Sequence, residues 1–236
     1  MQTDIIEPPI LIRMMENILT VMTANEDYLT RLDSEIGDAD HGINMVRGFQ
    51  LVHSRLKVLD NPDVEAILNT VGTSLMEGSG GSSGALYGIF FISGAQQLHG
   101  KRGIDKRNLA LFFSAGYVAM VEMSGGTKPG EKTIIDALDP AVKSLNESAI
   151  DECLSLTIVL QRAVEAAKTG LENTIGLVAT KGRAAYLGEM SRGHQDIGAT
   201  TMYLIIRTML DTLEGKVGVK VTRHGSNGAI LEETYI

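Results

Sequence analysis

The chain has 236 residues, 44% hydrophobic and 21% charged, which is enough for one domain with a well-buried core and is not the composition of a disordered chain. Its formal charge of −8 argues against a nucleic-acid or anionic-membrane surface. Nucleotide binding stays open, because a divalent cation can neutralise phosphate charge locally.

The apolar residues recur at helical spacing from the amino end onward. Pro8 and Pro9 open a first helix with Leu11, Met14, Met15, Ile18 and Met22 on one face. Ile67, Leu68, Val71, Leu75 and Met76 mark a second stripe. A third, Leu109, Phe112, Phe113, Tyr117 and Met120, is stopped by Ser124-Gly125-Gly126. Ile134, Leu138, Val142 and Leu145 follow, then Leu156, Leu160, Ala163 and Ala167, then Met202, Ile205, Ile206, Met209 and Leu213. The one cysteine, Cys153, has no CxxC partner; it excludes an internal disulfide, fits a reducing compartment, and reads as a packing residue within a helical pattern. Glycine-rich joints fall at 78–84, 124–130 and 193–198. The expectation is an all-α domain of about eight helices over residues 1–214. In the tail, 215–236, Val217, Val219 and Val221 alternate with Gly218 and Lys220 ahead of a Gly225-Ser226-Asn227-Gly228 turn signal. That pattern predicts a hairpin of 217–223 with 229–234. The acidic amino end lacks a signal-peptide layout, and the longest apolar stretch, 85–93, is too short to span a bilayer, so a cytoplasmic location is expected.

The densest chemistry lies at residues 33–44, where Asp33, Glu35, Asp38 and Asp40 put four carboxylates in eight residues, with glycines at 37 and 42. Like charges this close repel, and a hard cation that prefers oxygen ligands resolves the conflict. Asp38 and Asp40 can aim at one point from a turning segment, and Asp33 can return to it from the preceding helix. An EF-hand starting at Asp38 would need glycine and glutamate where Ile43 and Phe49 stand. A Mg²⁺ site completed by phosphates and waters fits better. The competing reading is a solvated acidic loop with helix-capping aspartates, and Glu35 reads as a surface residue or as a support behind the metal ligands.

Residues 78–84, Gly-Ser-Gly-Gly-Ser-Ser-Gly, precede an apolar helix and form an anion-binding turn, to which Ser82 and Ser83 add hydroxyls. No Gly-Lys-Ser/Thr follows, which excludes a Walker A loop; a plain helix–helix turn is the alternative. Farther on, Arg183 sits among small residues, suited to a transferring phosphoryl group or simply to a surface loop. Asp196 can serve the same site or N-cap the last helix.

Five motifs in order carry a resemblance over about residues 10–213. They are Asp33-x-Glu-Ile-Gly-Asp38-x-Asp40-His41-Gly42; Gly-Gly-Ser82-Ser83-Gly; Lys-Pro-Gly-x-Lys-Thr-x-x-Asp-Ala-Leu-x-Pro at 128–140; Gly-Arg183-Ala-x-Tyr-Leu-Gly-Glu; and Gly-His-Gln-Asp196-x-Gly198-Ala-Thr. Together they resemble the ADP-binding L subunit of dihydroxyacetone kinase and the matching domain of single-chain ATP-dependent kinases. The resemblance implies an antiparallel barrel of eight amphipathic helices with the nucleotide at one end. It implies two Mg²⁺ ions on Asp33, Asp38 and Asp40, and nucleotide contacts from His41, Gly42, Ile43, Asn44, Ser82, Ser83, Gly126, Ile134, Arg183, Asp196, Ile197 and Gly198. Arg183 takes the catalytic role of stabilising the transition state. Bound ADP/ATP would pass phosphate to dihydroxyacetone, or a close triose or tetrose, held on a K subunit, with a phosphohistidine M subunit recharging it. A subunit exchanging free ATP and a nucleotide-loaded regulator of a transcription factor are the rival readings, and self-association stays open. Ile197 stands where the family usually has proline, the 125–128 stretch is one residue shorter, and the tail from Gly215 has no family counterpart.

Overall fold

The computed structural model describes residues 4–216, 220–224 and 230–235. Its helices are α1 (Pro8–Ala24), α2 (Glu26–Ile36), α3 (His41–Leu56), α4 (Val64–Gly78), α5 (Gly81–Gln96), α6 (Lys106–Met123), α7 (Ile134–Ala149), α8 (Leu156–Asn173) and α9 (Ile197–Leu213). Their starts follow local chemistry. The proline pair occupies the first turn of α1, where no N–H partner is lost. Asp63, Asp105 and Ser155 cap α4, α6 and α8 by accepting from the amides of Ala66, Asn108 and Ile158.

Eight of these helices close a ring in the order α1-α3-α4-α5-α6-α7-α8-α9 and back to α1, as expected for a helical barrel. The additional helix, α2, follows α1 after the single residue Asn25 and lies against α3 and α9. Each stripe read from the sequence faces the interior, with Tyr117 and Leu213 packed at its margin. Met76 departs from this, being 39% exposed at the edge of α4. Between α5 and α6, Phe90, Phe91, Phe112 and Phe113 pack with ring centroids 5.3–6.0 Å apart, mostly edge to face.

Two further readings are adjusted. Cys153 does not pack in a helix. α7 ends at Ala149 and Ser155 caps α8, so Cys153 falls in the exposed turn between them, its amide donating to Asp151. In the tail, β1 (Lys220–His224) pairs antiparallel with β2 (Ile230–Tyr235), Lys220 opposite Tyr235, with an irregularity at Arg223/His224. The expected turn at 225–228 and the valines at 217 and 219 lie outside the described residues. Among the described residues, no helix is long and apolar enough to cross a membrane.

Candidate nucleotide and metal site

The amino ends of α3, α5, α7 and α9 line one cavity of about 460 Å³, through His41, Ser82 and Ser83, Ile134 and Ile135, and Ile197 and Gly198. That is the size of a small-molecule site. Each helix amino end carries partial positive charge and unpaired N–H groups. Three of the four are closed by side chains. Asp33, from α2, accepts from the amides of Asp40 and His41 at 2.8 and 3.0 Å, capping α3. Asp136 and Thr133 form a reciprocal capping box on α7. Asp196 caps α9 by accepting from Ala199 at 2.7 Å, as one reading of its sequence position anticipated. The fourth, α5, starts after Gly80 with no side-chain cap, and its first residue, Gly81, has φ +64 with open space around it. The uncapped end is where an anion is best accommodated.

Beside it stand the aspartates. Carboxylate oxygens of Asp33, Asp38 and Asp40 lie within 4.8 Å of one another. The local backbone explains the convergence. Ala39 takes a left-handed conformation, φ +59, which turns the chain between Asp38 and Asp40. A side chain at position 37 would begin 1.9 Å from the Asp33 Oδ1, so only glycine leaves that carboxylate its place. Because Asp33 caps α3, the Asp40 carboxylate makes no cap of its own. Three clustered oxygen donors fit Mg²⁺ and exclude a soft-metal set. Arg183, at the start of the 3₁₀ segment Arg183–Ser191, pairs with Asp38 at 2.9 Å. This joins the first and fourth sequence motifs. The segment is seated on α2 by Ile36, Ala179, Ala184 and Leu187.

His41 is buried, with Nδ1 3.2 Å from Ser83 Oγ and Nε2 2.8 Å from Thr201 Oγ1. Burial brings its pKa down to about 4 against the pull of Asp33 and Asp40, so the ring is neutral and can donate through one nitrogen and accept through the other. Burial also pushes the Asp196 carboxyl up to about 7; the Asp136 charge adds to this, while the Ala199 amide and the Lys132 ammonium oppose it. The lining also includes the apolar side chains of Leu86, Met123, Ile134, Ile135 and Ile197. A lining that combines apolar side chains with carboxylates and an open helix end matches a base and its phosphates.

Of the residues named from the sequence, the cavity gathers Asp33, Asp38, Asp40, His41, Ser82, Ser83, Ile134, Arg183, Asp196, Ile197 and Gly198. Four are not in its lining. Gly42 packs on α2, where a Cβ would come 2.3 Å from the Glu26 carbonyl oxygen. Ile43 is 51% exposed, and buried Asn44 accepts from Arg47 at 2.9 Å. Gly126 closes α6 by donating to the Val121 carbonyl, beside Thr127, which does line the cavity. Ile197 is the first residue of α9, a position that accepts proline, and the Asp196 cap holds the helix start without one. Glu35 pairs with His194 at 2.9 Å, outside the lining. The cavity also includes Lys132, Thr133 and Lys181, which had not been singled out; Lys132 and Thr133 lay inside the quoted 128–140 motif.

Comparison with known proteins places the chain in a family. A family model of the DAK2 domain matches residues 35–211. The ADP-binding subunit DhaL of the PEP-dependent dihydroxyacetone kinase of Escherichia coli K12 is 39% identical over 189 residues, 80% of this chain and 89% of that protein. A DhaL subunit of Listeria innocua dihydroxyacetone kinase 2 is 35% identical over 205 residues, 86% of this chain and 94% of that protein. Among solved structures, the C. freundii dihydroxyacetone kinase in complex with AMP-PNP and Mg²⁺ superposes with a TM-score of 0.66 at 25% identity. The match covers 86% of this chain and 34% of that kinase.

Proposed function

The chain belongs to the DAK2-domain family, and on that premise we propose that it is the nucleotide-holding phosphotransferase subunit of a dihydroxyacetone kinase. The observation that carries the reading is the aspartate cluster beside the uncapped amino end of α5, with Arg183 reaching into it. Asp33, Asp38 and Asp40 would hold Mg²⁺. When bound, the ion supplies neutralisation of phosphate charge. The family resemblance implies two ions on these three carboxylates. The α5 amides, Ser82 and Ser83 orient the phosphates, and neutral His41 fixes the Ser83 hydroxyl. The apolar lining residues would pack on the base and exclude water from it. Arg183 is the catalytic residue, adding positive charge where phosphate charge develops during transfer.

In this reading residues 1–214 form the nucleotide-binding unit and 215–236 are a separate extension. The acceptor, dihydroxyacetone or a close triose or tetrose, would be held by a separate K subunit. A phosphohistidine M subunit would restore ATP from bound ADP, in line with the PEP-dependent relatives. A cytoplasmic setting fits such a cycle. The likeness to a kinase solved with AMP-PNP and Mg²⁺ supports a second reading, in which ATP exchanges freely; the rate of nucleotide release separates the two.

Calorimetric titration of Mg·ADP into nucleotide-free wild-type and Asp38→Asn protein tests the site. The expected loss is about 100-fold in affinity, since a first-sphere carboxylate matters at least as much as an outer-sphere partner. Equal affinity in the two proteins would remove the aspartates from the proposal.

A further inference from the structure

Between α8 and α9 the chain leaves the ring for about twenty residues, and this excursion carries Arg183. Its two ends meet at one group. The ammonium of Lys132 donates to the carbonyl of Thr174, at 2.5 Å, and to the carbonyl of His194. Thr174 ends α8 and His194 lies two residues before the α9 cap.

Lys132 is only 1% exposed and takes a left-handed backbone, φ +61. Both features cost free energy: an ammonium is expensive to bury, and a non-glycine residue disfavours that conformation. Asp136 and Asp196, whose charges favour the ammonium, offset part of the burial. Smaller ties gather at the same base. The Gly193 amide donates to the Ile175 carbonyl at 2.8 Å, and the Asp196 amide to Thr174 Oγ1 at 3.0 Å. The Thr180 amide donates to the carbonyl of Glu131, next to Lys132.

We propose that Lys132 is a positioning residue: its ammonium clamps both ends of the Arg183 excursion to the start of α7 and thereby fixes where the guanidinium reaches. Its consequence for turnover rests on the kinase reading; its consequence for the excursion does not. Two of the three ammonium protons are given to backbone carbonyls, so this role differs from direct phosphate binding.

The test uses Lys132→Met, Lys132→Gln, Arg183→Ala and the double variant Lys132→Met/Arg183→Ala. Hydrogen exchange of the nucleotide-free protein is read across 175–193. Lys132→Met is expected to raise exchange there about tenfold, with the ring helices unchanged. Lys132→Gln, which keeps a neutral donor, falls between it and the wild type. In the kinase assay, Lys132→Met lowers turnover about 100-fold at saturating nucleotide while the affinity for Mg·ADP stays within about threefold, the cost of a misplaced catalytic group. In the Arg183→Ala background, Lys132→Met costs nothing further.

Unchanged exchange in 175–193 would overturn the proposal. So would a loss in the double variant equal to the product of the single losses, or a loss of nucleotide affinity with turnover intact. Global unfolding of both Lys132 variants would make Lys132 a core group and also overturn it. A loosened excursion in a protein whose wild type shows no transfer would leave the clamp standing and count against the kinase reading alone.

Discussion

At the scale of single residues, the site is an arrangement of charges placed by backbone geometry. Asp38 and Asp40 were legible because two carboxylates two residues apart have few reasons to converge without a cation. That Gly37 makes room for Asp33 was not legible, since the contact depends on the angle at which α2 ends. Lys132 was passed over for a similar reason: its acceptors lie 42 and 62 residues away, and no local spacing announces them. Asp196 offers a test at this scale. In the unfolded chain its carboxyl ionises near 4, whereas burial raises it to about 7 in the folded protein. Between those values the folded protein holds a proton that the unfolded chain has lost, so this group's contribution to stability falls as pH rises through the window. Asp196→Asn keeps an acceptor for the cap without the ionisation. Melting curves of the nucleotide-free proteins should show the variant gaining on wild type from about pH 4 to about pH 7, with a constant difference above that. A gap that is flat across that range would mean that Asp196 ionises normally.

At the scale of elements, four helix amino ends share one cavity, and the difference among them is which are capped. Six helices, α1, α4 and α6 to α9, were readable from their apolar stripes, and the joint at 78–84 from its glycines. The division of labour was not, because the cap of α3 comes from α2 and not from the residue at its own start. This separates two aspartates that look equivalent in sequence. Asp33→Ala should lower stability by about 1 kcal/mol through the lost cap as well as abolish metal-dependent nucleotide binding. Asp40→Ala should lose the binding without lowering the melting temperature, since it caps nothing and its removal relieves repulsion. Chemical denaturation of both variants in the absence of nucleotide checks this. Equal stability losses would contradict the assignment of the cap to Asp33.

At the scale of the molecule, the eight-helix ring brings residues from 33, 82, 134, 183 and 196 to one mouth. The ring was foreseeable from the family resemblance more than from periodicity, which gives helices but not their closure. The additional helix α2 was hidden because its apolar positions run into the acidic cluster and its start follows α1 after one residue. The reading proposed for the whole molecule is a subunit that keeps its nucleotide and exchanges only phosphate. The most direct test is to dialyse the purified protein extensively, denature it, and identify the nucleotide and metal released. Near-stoichiometric ADP with Mg²⁺ is the predicted result. Protein that comes through dialysis empty and shows no affinity for Mg·ADP would contradict the account at its centre.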